Sequence, residues 1–345
     1  MASARSRIVA APNHETERDV LAPGCPICRK AVVDIGKRGL VCRGCLRRFP
    51  LVAGLPDLRL SSDRYLDLAS ERAKAELLHA LEPATNLDGI AEAYYAMTDD
   101  IVDHRRARFL RHITGAEARG EALASRLPRQ GRTLEVGCGT GGLLVAAARS
   151  GRSIVGVDIA SRWLVVARRR LADRGVSVPL IAAEAEHLPW PDETFDTVVA
   201  DSVLEHLDDP SLALREWRRI LRPGGRLIVW SPNRFTLTTD PHVGLWGIGV
   251  LPRKWVPGYL RLRGRSDWLP RTLSGAEARR LALTTGWSAP KLCAPPVSRE
   301  WARTRPKVEQ IPHRLYELAR RLPLTRSLLV TLGPLWELQA EAKNI

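Results

Sequence analysis

Residues 133–150 constrain the fold more than any other stretch of the chain. Thr133-Leu134-Glu135-Val136 is a short strand-like run, Gly137-Cys138-Gly139-Thr140-Gly141-Gly142 follows at once, and LLVAAARS after it has helical composition. Strand, glycine loop and helix in that order open a nucleotide-binding βαβ unit, in which glycines let a ligand lie against the backbone where a Cβ would stand. A second strand, 153–157, ends in Asp158. That is about twenty residues on, where a carboxylate can accept both hydroxyls of a ribose. Gly137, Gly139 and Gly142 also satisfy the G-x-G-x-x-G pattern of dinucleotide binders. On these residues alone an NAD enzyme and an enzyme using another adenosine cofactor are both open.

Three further blocks separate the two. Glu135 precedes the glycines, and a carboxylate there repels a pyrophosphate but suits the ammonium and sulfonium of S-adenosylmethionine. Glu184-Ala185-Glu186-His187-Leu188-Pro189-Trp190 follows a third strand, 178–182. Phe195–Ala200 makes a fourth strand, and Leu221–Val229 a turn and a fifth. In this order the blocks resemble the class I methyltransferases, particularly the group that methylates quinones, lipids and other small molecules. The resemblance covers roughly residues 90–235 and continues weakly to the C-terminus. It implies an α/β, Rossmann-like domain with a seven-stranded sheet and S-adenosylmethionine as cofactor. By it, Glu135, Gly137, Gly139 and Gly141 line the methionine part, Asp158 holds the ribose and Ile159 packs against the adenine. Glu184, with Ala185 after it, stands where the family usually has an aspartate near the adenine amino group, so the longer side chain is a departure. Tyr94 or Tyr95, on the helix entering the domain, either closes over the cofactor or fills the core.

The sulfonium is an activated methyl donor, so the protein must align a nucleophile with the S–CH3 bond and supply a base where that nucleophile carries a proton. Candidates lie just after the fourth strand, in Asp201-Ser202-Val203-Leu204-Glu205-His206. Related methyltransferases have an "LEH" here facing the acceptor pocket, and His206 is the expected base for a hydroxyl. Asp201 and Glu205 are four apart, so on a helix they share a face, and with His206 they could hold a divalent ion. In the alternative, Glu205 and His206 only anchor the loop by hydrogen bonds.

A second unit precedes this one. Cys25-Pro26-Ile27-Cys28 and Cys42-Arg43-Gly44-Cys45 form a CxxC…CxxC array, with two short strands expected between them around Gly36 and Gly39. Two such knuckles aim four thiolates at one point and complete a closed tetrahedral zinc site, structural and without an open position. So short a segment has little core, and bound metal must supply much of its folding free energy. The segment resembles the zinc-ribbon family that includes the small activator subunits of tRNA methyltransferases, through the cysteines, Phe49-Pro50 and Gly54-Leu55-Pro56-Asp57.

Charge distinguishes the far end. Residues 211–345 carry 24 basic and 9 acidic side chains, so the whole formal excess of +15 lies there. A polyanionic partner explains such asymmetry, although a coding bias toward arginine yields it without one. Within 236–275, Trp246, Trp255, Tyr259 and Trp268 alternate with Arg253, Lys254, Arg261, Arg263 and Arg265, and 315–332 interleaves arginines with an apolar run. Rings and cations beside an apolar face suit peripheral contact with an anionic membrane, and equally stacking on RNA; a lid filling its own small core is the plainer reading. No run of eighteen or more apolar residues is present, so no transmembrane segment is expected and a cytoplasmic location is the default, with the lid's membrane contact, where it is made, placing the chain peripherally on the inner face.

These readings divide the chain into a flexible N-terminus (1–22), the zinc ribbon (23–60), a helical linker and N-terminal lid (61–125), the cofactor-binding core (126–235), a basic lid (236–275) and the completion of the domain (276–345). The expected function is methylation of a hydroxyl on a small-molecule, quinone or lipid-linked acceptor. Methylation of ribosomal or transfer RNA is the alternative, and the intact glycine loop, Glu135 and Asp158 argue against a non-enzymatic scaffold.

Overall fold

A computed structural model describes residues 22–36, 39–98, 103–240, 242–264, 270–298 and 307–343. The flexible N-terminus expected over 1–22 falls, but for its last residue, outside these, as do Arg265 and Trp268 of the lid.

The ribbon is built from very short strands, since its spacing leaves room for little else. Strands β1 (Val32–Asp34), β2 (Leu40–Cys42) and β3 (Arg48–Phe49) form an antiparallel sheet, with Val33 opposite Val41 and Leu40 opposite Phe49. Strands β4 (Leu51–Val52) and β5 (Leu55–Pro56) close a hairpin over Ala53 and Gly54, both at positive φ (51° and 73°), the geometry that matches the twist of paired strands. Cys25, Leu40, Cys42 and Phe49 are buried in one apolar cluster with Leu188, Trp190 and Phe195 of the larger sheet unit. The ribbon therefore has no independent core and shares that of its neighbour.

Helices α1 (Leu68–Leu81), α2 (Leu87–Ala96), α3 (Asp103–Thr114) and α4 (Ala116–Ala124) follow. Asp67 caps α1 by accepting from the amides of Ala69 and Ser70, and Asn86 caps α2 through the Gly89 amide. The chain then alternates: β6 (Arg132–Val136), α5 (Gly142–Arg149), β7 (Ser153–Asp158), α6 (Ser161–Asp173), β8 (Leu180–Ala182), β9 (Phe195–Asp201), α7 (Pro210–Ile220), β10 (Leu221–Pro232). After the lid helix α8 (Val256–Leu262) come α9 (Gly275–Thr284), β11 (Trp287–Cys293), the pair α10 (Lys307–Arg321) and α11 (Pro323–Leu332), and β12 (Leu335–Ala342). Pro323, which cannot continue a helix from the preceding turn, divides the apolar, arginine-bearing run into two helices.

The large sheet has the order β8-β7-β6-β9-β10-β12-β11, with β12 antiparallel to both neighbours and the other pairings parallel. This is the seven-stranded, Rossmann-like α/β architecture expected from the ordered blocks. The chain steps outward from β6 to β8, then returns to the other side of β6 for β9. Order reverses there, which opens a crevice at the carboxyl ends of β6 and β9 where ligands of such sheets bind. Strand β10 runs unbroken to Pro232, with its register to β9 shifted between Leu221 and Arg226 by the Pro223-Gly224-Gly225 turn. Trp190, Trp217, Trp287 and Trp336 are fully buried and Trp230 nearly so, so five of the ten tryptophans serve the core. Among the described residues no helix is long and apolar enough to cross a membrane.

Candidate active site

The glycine loop leaves β6 at the point of strand reversal. Gly137, Gly139 and Gly141 have φ of 69°, 48° and 76°, a region closed to most side chains. A Cβ on Gly137 would stand 2.3 Å from Val203 Cγ2, whereas one on Gly139 would enter open space. Gly137 is thus demanded by packing against the next loop, and Gly139 by its backbone angle and by the room it leaves above the crevice.

Around that room stand carboxylates. Asp158, at the end of β7, accepts from the Ala160 amide through Oδ1 and from the Gly139 amide through Oδ2, each at 2.8 Å, yet burial still holds it above its ordinary value. Glu135 is buried within β6 and its Oε2 has no hydrogen-bond partner. Burial first, then the charges of Asp201 and Asp158, push its carboxyl well above the usual range. Three neighbouring acids, with Glu135 buried and one of its oxygens unpaired, make a crevice of negative potential, which a cationic ligand relieves. An ammonium and a sulfonium beside an adenosine fit that requirement; a pyrophosphate does not.

The next wall comes from the ribbon side, which the sequence did not disclose. A strap, residues 57–66, runs from β5 across the carboxyl edge of the sheet. The Leu58 amide donates to Ala182 O at 2.8 Å, extending β8 by one rung. Arg59 clamps Asp57 through two bonds of 2.7 and 2.8 Å and donates a third, 2.8 Å, to the carbonyl of Ile159. Glu184 Oε1 accepts from the amides of Leu60 (2.7 Å) and Ser61 (2.6 Å) and from Ser61 Oγ (3.0 Å). The glutamate in place of the family's aspartate therefore reaches the strap, while its Oε2 stays buried and unpaired. Ala185 beside it is buried and its carbonyl accepts from Trp217 Nε1 at 3.0 Å. Further along, Asp63 pairs with Arg162 at 3.1 Å on α6. Tyr94 and Tyr95 are both buried; Tyr94 stacks on Trp163 at 4.2 Å between centroids and takes a 3.2 Å bond from Arg162 Nε, so they fill the core beneath the strap.

At the end of β9, Asp201 accepts from Ser202 Oγ at 3.0 Å, and Ser202 has a φ of 58°. That bend turns the chain into a single 3-10 turn, Leu204–His206, in place of the helix that would have set Asp201 and Glu205 on one face. The groups that gather are Glu205, His206 and His242, whose ligating atoms all lie within 4.8 Å of one another; Asp201 is outside this set. His242 comes from the lid, where Asp240 Oδ1 accepts from the His242 and Val243 amides. Glu205 is buried, accepts from Ser231 Oγ at 3.0 Å through Oε2 and leaves Oε1 unpaired. Burial pushes its carboxyl up to about 7. His206 contacts Tyr65 OH of the strap through Nδ1 at 2.9 Å and meets the His242 ring edge-on at 5.2 Å. Burial, then the nearby His242 and Arg64 charges, lower it to about 4, so it is neutral at pH 7.

The four ribbon cysteines, Cys25, Cys28, Cys42 and Cys45, bring their sulfurs within 4.8 Å of one another. The Cys25–Cys45 and Cys28–Cys42 separations are 3.7 and 3.3 Å. A tetrahedron with bonds of about 2.3 Å has edges of about 3.8 Å, so the set fits a zinc site with four thiolate ligands. The amides of Gly44 and Cys45 point at Cys42 Sγ (3.2 and 3.4 Å), as a knuckle stabilising a thiolate requires.

Comparison with known proteins agrees with this geometry. Residues 134–229 match the family model described as a methyltransferase domain. The fold and the match define a class I, S-adenosylmethionine-type methyltransferase domain within this chain. Its relatives include a ubiquinone biosynthesis O-methyltransferase of Cereibacter sphaeroides, 34% identical over 147 residues (42% of this chain, 56% of the relative). A ubiquinone/menaquinone biosynthesis C-methyltransferase of Bordetella avium is 38% identical over 124 residues (35% of this chain, 48% of the relative). The chain thus spans about half the length of the curated relatives it matches. Among solved structures, a possible histamine N-methyltransferase of Thermotoga maritima is 22% identical, covers 70% of this chain and 95% of its own, and has a TM-score of 0.44.

Proposed function

We propose that this chain methylates a hydroxyl of a quinone-type or lipid-linked small molecule with S-adenosylmethionine as donor. The observation that carries the reading is the crevice itself: an open glycine cradle over Glu135, Asp158 and Asp201, with one buried carboxylate oxygen unpaired. Glu135 would hold the cationic end of the cofactor, Asp158 its ribose hydroxyls, and Ile159 and Glu184 its base, against the strap. When bound, that cofactor supplies a methyl group on a leaving sulfide. The chain's own work is then to exclude water, orient the acceptor oxygen and take its proton. Glu205, near neutrality in its titration and with a free oxygen, is the proton acceptor we favour, and His206 and His242 complete the polar end of the acceptor pocket. The ribbon cysteines would hold one structural zinc.

The acceptor reading implies a place for the enzyme to meet an apolar substrate. Trp246 and Trp255 in the lid and Leu324 and Leu328 on α11 are exposed, beside Arg253, Lys254, Arg261 and Arg326. Each such cation near an anionic bilayer contributes about 1 kcal/mol, enough in combination for reversible docking on the inner face of a membrane.

Two measurements test the proposal. Incubation with methyl-labelled cofactor and a cell extract divided into lipid and RNA fractions should label the lipid fraction; label in RNA alone overturns it. Titration calorimetry with S-adenosylhomocysteine should show Asp158→Ala weakened by roughly a hundredfold, the worth of two charge-assisted hydrogen bonds. Unchanged affinity would mean that the crevice binds something else.

A further inference from the structure

Beyond the end of β10, between the lid and the start of α9, lies a cavity of about 240 Å³ that the methyl-transfer chemistry described above does not use. Ile248, Leu251 and Val256 give it apolar walls, and three arginines, Arg234, Arg253 and Arg271, also line it. Among the described residues the carboxylate paired with Arg234 and Arg253 is Glu277, at 3.4 and 3.0 Å. That carboxylate is itself committed to capping α9, where it accepts from the Ser274 amide at 2.8 Å. Three cations against one shared anion leave a local excess of two positive charges beside an apolar wall.

The arrangement is held in place by the backbone. Arg234 Nε donates to Gly249 O at 3.1 Å, and a Cβ on Gly249 would stand 1.5 Å from Arg234 O, so only glycine lets the lid approach this closely. Burial first, then the neighbouring Arg253, depress the Arg234 guanidinium below its ordinary value, and an anion placed here would offset both. Arg271 is exposed, and its amide donates to Glu205 O at 2.9 Å, which ties the cavity rim to the turn bearing the proton acceptor.

We propose that this cavity anchors the acceptor by a phosphate group borne on an apolar body, that is, by the headgroup of an alkyl or prenyl phosphate. A doubly charged oxyanion matches the excess of two cations, guanidinium forks match phosphate oxygens, and the aliphatic walls take the first carbons of the tail. The backbone bond from Arg271 to Glu205 O then places the anchored headgroup one strand of chain away from the turn bearing Glu205, toward which the hydroxyl-bearing part of the acceptor would extend. The assignment of this molecule as acceptor rests on the methyltransferase reading; the binding site does not.

The test uses the full chain saturated with S-adenosylhomocysteine and three probes: octyl phosphate, octanol and inorganic phosphate, each followed by titration calorimetry. Octyl phosphate should bind at least tenfold more tightly than either other probe. Arg271→Gln should weaken octyl phosphate by roughly tenfold, the loss expected for one charge-assisted bond, while Arg271→Lys retains part of the affinity and both variants bind S-adenosylhomocysteine as before. Octanol binding as well as octyl phosphate, inorganic phosphate binding as well as octyl phosphate, or an unchanged R271Q would each overturn the proposal. If S-adenosylhomocysteine fails to bind while octyl phosphate binds as described, the methyltransferase reading falls and the phosphate site stands.

Discussion

In the proposed reaction Glu205 concentrates the chemistry of the site in one side chain. It is enclosed by Ser231, His206, His242 and, at longer range, Asp201, and burial outweighs the hydrogen bonds and the His242 charge that would lower its titration. A carboxyl that titrates at about 7, against an ordinary 4.5, is protonated in acid and available as a base above neutrality. Activity on a hydroxyl acceptor should therefore rise through pH 7 and level off. Glu205→Gln should lose a factor of about 10² to 10⁴ in kcat and the inflection with it. The same shift has a thermodynamic sign. Because the folded value is the higher one, the stability linked to this group is present below the ordinary carboxylate range and is lost as pH rises through about 7. E205Q should accordingly be the more stable protein at pH 8, by up to about 3 kcal/mol, and no more stable at pH 4. Denaturant titrations at the two pH values measure the difference; equal stabilities throughout would place Glu205 in water.

At the scale of elements, the strap is what joins the ribbon to the crevice. Its bonds to Ala182, Ile159 and Glu184 depend on where β5 ends, and β5 is placed by a ribbon that has no core of its own. Metal removal should thus be felt at the cofactor. We expect one zinc per chain, and its extraction by a strong chelator should lower the thermal midpoint and weaken S-adenosylhomocysteine by tenfold or more. A zinc-free chain that binds S-adenosylhomocysteine undiminished would refute the coupling. The strap also marks where the sequence stops being legible. The glycine loop, Glu135, Asp158 and the cysteine knuckles are local patterns whose geometry follows from spacing, and the five ordered blocks delivered the sheet. Glu184 gripping the amides of Leu60 and Ser61 involves residues far apart in the chain and no periodicity, so only the departure from aspartate hinted at it. His242 likewise lies far along the chain from the turn it joins. The pairing of Asp201 with Glu205 rested on helical spacing, and the positive φ of Ser202 replaced that helix with a tighter turn.

Over the whole molecule, the net charge of +15 and most of the exposed large apolar side chains among the described residues occupy the same C-terminal part of the chain. Leu237 in the lid is joined to α11, its amide donating to Leu332 O at 3.0 Å, so lid and helical pair present adjoining faces. Trp246 and Leu324, 67% and 91% exposed, gain nothing from the core and are free to meet a bilayer. The full chain should sediment with vesicles containing phosphatidylglycerol, and that binding should weaken as salt screens it. Vesicles of phosphatidylcholine alone should leave the chain in solution. Leu324→Glu should reduce the association without altering S-adenosylhomocysteine affinity; retention of L324E equal to that of the parent would show that this face is not the one engaged.

The route of the strap bears on how such a protein is handled and how it could have arisen. An experimenter seeking a minimal catalytic fragment would be inclined to start at the first strand of the large sheet and discard everything before it. The fragment would keep the glycine loop and every later motif residue and yet lose the strap, the partners of Glu184 and the phenol on His206. For the same reason the two units are poor candidates for exchange with those of other fusions: they are covalently consecutive but the strap of one walls the crevice of the other, and a replacement ribbon would have to bring its own fitting strap.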